Sequence, residues 1–262
     1  AYKLNTLSDE EVKNGVITAS SGNHGLGLSA AARRRSVPAR VLVPVGTPQI
    51  KIDKLKKYGA EVAVKGATYD EAVVLAQQTA EKDGSLYISS FEDVNIIKGN
   101  TTIGLEIFED VPTPGLVVVP IGGGGGISGV TLARNIMSPK TKIIGAEVAG
   151  AASMFHSLKA GKRQALKEIS TLADGIKVAQ PGQLAFELAQ KYVEEVKTVS
   201  EEDLQNTLRE LVVKAKIVPE LAGCASVAAL AKIDVKSFDG PIVCMISGGN
   251  IDLQLLNKIL GG

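Results

Sequence analysis

The chain has 262 residues, of which 45% are hydrophobic and 22% charged, and its 29 Lys and Arg against 28 Asp and Glu leave a formal net charge of +1. That balance gives no general field for nucleic acid or anionic lipid, and the length suits one large domain or two modest ones. No apolar run reaches the roughly 18 residues a membrane-spanning helix needs, and the two cysteines, Cys224 and Cys244, lie in apolar stretches without metal-ligand spacing. They read as buried small hydrophobes in a reducing compartment, which points to the cytoplasm.

The opening Ala1-Tyr2-Lys3-Leu4 reads as helix rather than signal peptide, and with no initiator Met the chain reads as processed or cut from something longer. Val16-Ile17-Thr18-Ala19 predicts a strand, residues 23–35 a helix, and Arg40 to Pro44 a second strand. Residues 51–58 form an amphipathic stretch with Ile52, Leu55 and Tyr58 on one side, and Gly59 ends it. Glu61 to Val64 is the next strand, residues 69–82 a helix, and Leu86-Tyr87-Ile88 extended. Short β-branched runs alternating with helices imply a parallel sheet with right-handed crossovers. Arg33-Arg34-Arg35 falls at a helix end and reads as solvated.

The pattern then starts again. Residues 102–108 predict a helix, Leu116 to Val119 a strand, Lys142 to Glu147 another, and 201–214 a helix opened by Ser200 with Asp203 in the capping-box position. Residues 221–232 are helical, Ile242 to Ile246 extended, and a last helix starts from Ile251. The expectation is an α/β protein with two open parallel-sheet lobes: residues 15–97 form the smaller, and 1–14 with 98–262 the larger.

Three strands lead into polar, glycine-containing loops: Ser20-Ser21-Gly22-Asn23-His24-Gly25, Gly122 to Gly126, and Ser247-Gly248-Gly249-Asn250. In open parallel sheets ligands bind at the carboxyl ends of strands, so a shared cleft between the lobes is expected. The five glycines follow Leu116 to Ile121 and precede the apolar helix Ile127 to Ala133. Bare backbone amides at a helix start make an anion cradle. The alternative is a flexible linker. Plain N-capping is the alternative for Ser20 and Ser21, packing at a helix start for His24, and a capped turn for Ser247 and Asn250. No Gly-Lys-Ser/Thr follows the glycines, so the run is not a P-loop.

Together these loops resemble the serine/threonine dehydratase and serine racemase branch of the fold-type-II pyridoxal-phosphate enzymes, which share a tryptophan synthase β-like fold. The matching segments are Ser20 to Gly25, Val119-Pro120-Ile121-Gly122-Gly123-Gly124-Gly125 and Ser247 to Asn250, supported by Lys57 to Val62, Ala173 to Ile176 and Glu220 to Gly223. The resemblance implies pyridoxal 5′-phosphate, with Asn23 on its 3′-oxygen, Gly122, Gly123, Gly124, Gly125 and Gly126 on its phosphate, Ser247 toward its ring nitrogen and Glu220 nearby. It implies that Ser20, Ser21, Gly22, Asn23 and His24 bind the substrate carboxylate, and that Ser21 carries a proton where the reaction is racemisation. A serine opposite the ring nitrogen favours prompt loss of a β-leaving group, so the implied reaction is deamination of L-threonine or L-serine to a 2-oxo acid and ammonia.

Serine racemase is the alternative reaction. A second alternative is a non-catalytic fragment binding pyridoxal phosphate or an amino acid, because the family's Schiff-base lysine precedes the position that Ala1 matches and no lysine here aligns with it. Some relatives bind a divalent cation, and the matching positions are Glu147, Ala151 and Ser153, where Ser153 stands in place of an Asp. Gly126 stands where relatives usually carry Leu or Met. The implied partners are a small amino-acid substrate and further copies of the chain in a homodimer or homotetramer, with neither nucleic acid nor membrane.

Overall fold

A computed structural model describes residues 1–261. The chain divides into two compact units, Ala1–Gly99 and Asn100–Gly262. The first unit contains α1 (Tyr2–Asn5), β1 (Val16–Ala19), α2 (Asn23–Arg34), β2 (Ala39–Val43), α3 (Gln49–Lys57), β3 (Glu61–Val64), α4 (Tyr69–Asp83) and β4 (Leu86–Tyr87), and the boundary falls within α5 (Val94–Asp110). The second unit continues with β5 (Leu116–Pro120), α6 (Gly125–Met137), β6 (Lys142–Val148), α7 (Ser153–Ala160), α8 (Gln183–Tyr192), β7 (Glu195–Val199), α9 (Glu201–Glu210), α10 (Leu221–Ala229), β8 (Ile242–Cys244) and α11 (Leu253–Leu260). Among the described residues no helix is long and apolar enough to cross a membrane.

Each unit is built on a four-stranded parallel sheet, ordered β3-β2-β1-β4 in the first and β7-β6-β5-β8 in the second. The α/β expectation of two parallel sheets therefore holds. Strands covered by helices on both faces are apolar at consecutive positions rather than alternate ones. Leu116–Pro120 is buried at all five positions and Val16–Ala19 at all four. Successive side chains still point to opposite faces. Leu116 and Val118 join Ile144, Ala146 and Val148 against α9 and α10 through Leu204, Leu208 and Ala225. Val117, Val119 and Ile121 join Ile143 on the other face against Ile127, Val130, Ala185 and Phe186. In the first unit Ile17, Ala19 and Leu42 pack on the Ala72, Ala76, Ala80 stripe of α4, while Val41 and Val43 meet Ile52 and Leu55 of α3.

Several expectations are corrected by this packing. Residues 1–14, assigned from sequence to the larger lobe, belong to the first unit, where Leu4 and Val12 share a core with Val16, Leu28 and Ile88. Tyr58 is 41% exposed, because α3 ends at Lys57 and the chain turns at the left-handed Gly59. The helix expected over 102–108 runs from Val94 to Asp110. The helix expected over 201–214 keeps its Ser200–Asp203 capping box but ends at Glu210, where a wider π-type turn takes over. Strand β7 was not expected. Its Glu195 to Val199 run mixes charge with β-branched residues, as an edge strand allows. Arg35 is not merely solvated: it ion-pairs with Asp9 at 2.8 Å and donates to the carbonyls of Leu4 and Leu7.

Candidate active site

In the second sheet, β5 and β8 are neighbours, and the strand order reverses between them. Loops leaving such a switch point at the carboxyl ends flank a natural ligand crevice. The loop after β5 is Gly122 to Gly126 and the loop after β8 is Ser247 to Asn250. Pairing holds both in place as far as their first residues, since Ile121 donates to Ala146 O at 2.8 Å and Met245 to Val118 O at 3.0 Å.

The glycine loop is ordered, not a linker. Gly124 caps α6 with φ +92°, a left-handed conformation that glycine adopts without strain. A Cβ there would also lie 2.6 Å from Ala185 Cβ. The carbonyls face the protein: Gly123 O accepts from Gly182 N at 3.0 Å, and Gly124 O accepts from Ser128 N at 3.1 Å and from Ser128 Oγ at 2.7 Å. Among the described residues the amides of Gly122 to Gly126 donate to no protein acceptor, although Gly123, Gly124 and Gly125 are buried. Buried amides without a partner are rare, and consecutive ones at the start of a helix call for an anion. The helix proper begins at Gly125, so Gly125 and Gly126 supply its first-turn N–H groups. Gly182 was missed from sequence; the Pro181-Gly182 turn before α8 was the available signal.

The Ser247 loop is fastened from α10. Glu220 N donates to Gly248 O at 2.9 Å, and Asn250 N donates to Glu220 Oε2 at 3.1 Å. Asn250 is therefore not a helix cap, and the N-cap of α11 is Asp252, whose side chain accepts from Gln254 and Leu255. Cys224, one turn along α10, has its thiol pushed up to about 12 by burial and then by the Glu220 charge, so it is inert as a nucleophile.

Glu147 ends β6 fully buried, and its two carboxylate oxygens accept from Met154 N at 2.9 Å and Phe155 N at 2.7 Å, the first amides of α7. Burial nevertheless raises its pKa to about 8. Ala151 and Ser153 are buried beside it, and Ser153 Oγ has no hydrogen-bond partner. The carboxylate whose position matches a cation ligand of some relatives thus accepts one helix-start amide at each oxygen. Among the described residues no group of three or more His, Cys, Asp or Glu side chains is placed to hold a metal.

In the first unit the loop Ser20 to Gly25 leaves β1, which lies at the reversal point of its own sheet. The N-cap of α2 is Gly22, without a side-chain cap, so neither Ser20 nor Ser21 caps the helix. Ser20 Oγ accepts from Gly22 N at 3.2 Å. His24 Nε2 lies 3.3 Å from Ile88 O, and a carbonyl only accepts, so that nitrogen carries the hydrogen. Burial lowers the His24 pKa below its usual value and keeps the ring neutral at pH 7.

A family model described as pyridoxal-phosphate dependent enzyme matches residues 1–248. The chain belongs to the pyridoxal-phosphate dependent enzyme family. Within that family it is similar to an L-threonine ammonia-lyase of Thermotoga maritima, at 44% identity over 259 residues that make up 98% of this chain and 64% of that protein. It thus spans under two thirds of that relative's length. Its fold matches the processed form of threonine deaminase isoform 2 from Solanum lycopersicum, with a TM-score of 0.92 and 37% identity, covering 100% of this chain and 77% of that one. It also matches maize serine racemase, with a TM-score of 0.93 and 30% identity over 98% of this chain and 79% of that one. The family's cofactor carries a phosphate, and the partnerless amides of the glycine loop fit that group.

Proposed function

We propose that the protein carrying these residues deaminates L-threonine or L-serine, releasing a 2-oxo acid and ammonia. The observation that carries the reading is the set of partnerless glycine amides at the start of α6, in a chain of this family similar to an L-threonine ammonia-lyase. Pyridoxal phosphate, when bound, supplies the electron sink that weakens the substrate's Cα–H bond. Gly122 to Gly126 would hold the phosphate dianion through backbone N–H groups and the positive end of α6. Ser247, at the neighbouring strand end, would serve the ring nitrogen, and its hydroxyl, unlike a carboxylate, would not hold a proton there. Asn23 would serve the 3′-oxygen, and the amides and hydroxyls of Ser20 to His24 would orient the substrate carboxylate at the start of α2. The neutral imidazole of His24, held to Ile88 O, keeps an extra positive charge out of that loop. No lysine of residues 1–262 is assigned the covalent anchoring role.

Ammonia and 2-oxo acid release from L-threonine and L-serine tests the reading in the protein supplied with pyridoxal phosphate. Bound cofactor without ammonia release from either amino acid would overturn it. The likeness to maize serine racemase and the presence of Ser21 support racemisation as a second activity. Ser21→Ala abolishes any interconversion of serine enantiomers, followed by chiral chromatography, and lowers ammonia release far less, through the lost carboxylate contact alone. An equal fold-loss in both reactions would refute the proton-carrier role.

A further inference from the structure

Between the two loops of the second unit lies a single 3-10 turn, Asp174–Ile176. Ala173 and Ile176 anchor it in the core beside Leu221 and Ala222. One side of the turn meets the glycine loop, where a Cβ on Gly122 would lie 3.0 Å from Ile176 Cα and 3.3 Å from Gly175 O. The other side meets Glu220, where a Cβ on Gly175 would lie 2.8 Å from Glu220 Oε1 and 2.9 Å from Ala222 Cβ. The second oxygen of that carboxylate accepts from Asn250 N at 3.1 Å. Backbone thus touches backbone on one side and a carboxylate on the other, with no side chain of Gly122 or Gly175 between.

We infer that Gly175 is a positioning residue: by lacking a side chain it lets the Glu220 carboxylate seat against the turn, and this sets the Ser247 to Asn250 loop relative to the glycine loop. The inference rests on the cofactor reading for its purpose, because those loops are assigned the ring nitrogen and the phosphate. The contacts themselves do not depend on it. A methyl at Gly175 must relieve both contacts, to Glu220 Oε1 and to Ala222 Cβ, since 2.8 and 2.9 Å are shorter than any settled contact. Ala222 is buried in α10 and moves only with the helix that Glu220 caps, so relieving both contacts displaces the carboxylate. Asn250 N–H then loses its acceptor, and the Ser247 loop is released while the glycine loop keeps its own contacts to Gly182 and Ser128.

The test is amide exchange at Asn250 in the holo protein, with Gly175→Ala, Glu220→Ala and the double variant. Each single variant accelerates Asn250 exchange about tenfold, the double variant adds nothing further, and glycine-loop exchange is unchanged. Glu220→Gln, which keeps one acceptor oxygen, restores protection. In parallel the pH dependence of the bound cofactor's visible band shifts in Gly175→Ala while its 31P resonance stays in place. Unchanged Asn250 exchange in Gly175→Ala, or single effects that sum in the double variant, overturns the inference. If Gly175→Ala does not fold, Gly175→Ala with Ala222→Gly removes one of the two clashes and leaves only the carboxylate to respond. A wild-type protein that binds no pyridoxal phosphate would sink the functional reading instead, and the Asn250 result would still decide the contact.

Discussion

Replacing Gly124 by Ala places a methyl where the structure has neither room nor a suitable backbone. At φ +92° an L-residue is strained by about 1–2 kcal/mol. The added Cβ would lie 2.6 Å from Ala185 Cβ and 3.1 Å from Met154 Cε, and forcing a methylene into a packed core costs about 1–3 kcal/mol. Ala185 and Met154 are both fully buried, so neither can swing into solvent. The expected loss is therefore about 2–5 kcal/mol, a large part of a domain's total stability of about 5–15 kcal/mol. Two positions on, a Cβ at Gly126 meets nothing within 4 Å, and Gly126 lies in the right-handed first turn of α6. Gly126→Leu should be neutral or stabilising by up to about 1 kcal/mol, because leucine is the better helix former. Urea unfolding followed by far-UV circular dichroism measures both, and pyridoxal phosphate titration follows the displaced amides, with at least about tenfold weaker binding expected for Gly124→Ala. A loss below about 1 kcal/mol for Gly124→Ala, or an equal loss for Gly126→Leu, would refute the claim that φ and packing at Gly124 shape the cradle.

Three further outcomes follow from the same contacts. The pKa of Glu147, raised by burial from its usual 4.5 to about 8, means the fold favours the protonated acid, so its contribution is full below about pH 4.5 and is lost as pH rises toward 8; the wild-type urea midpoint should fall between about pH 5 and pH 8, and Glu147→Gln should flatten that slope, whereas equal slopes would count against it. Ser200→Ala removes the acceptor for Asp203 N and should lower stability by about 1 kcal/mol, read from the thermal midpoint, while a change of a few tenths would mean the capping box is redundant. Cys224, with its thiol pushed up to about 12, should resist iodoacetamide at neutral pH in the folded protein, and mass spectrometry showing rapid labelling would contradict its burial.

Much of the fold was legible in the chain because its signals are local. Apolar runs such as Leu116–Pro120 announce strands covered on both faces, and Ser200 with Asp203 announces a helix start within four residues. The glycine run after β5 and the loops after β1 and β8 could be named for the same reason: each sits within a few residues of the strand that carries it. What the chain alone could not show depends on atoms far apart in sequence. The Glu220 carboxylate holds an amide 30 residues away, Glu147 accepts from the start of α7, and Leu4 and Val12 join the first core. Periodicity and capping rules reach about one helical turn. The partner of a buried polar group is chosen by which elements pack beside it, and so only the tertiary structure decided those roles.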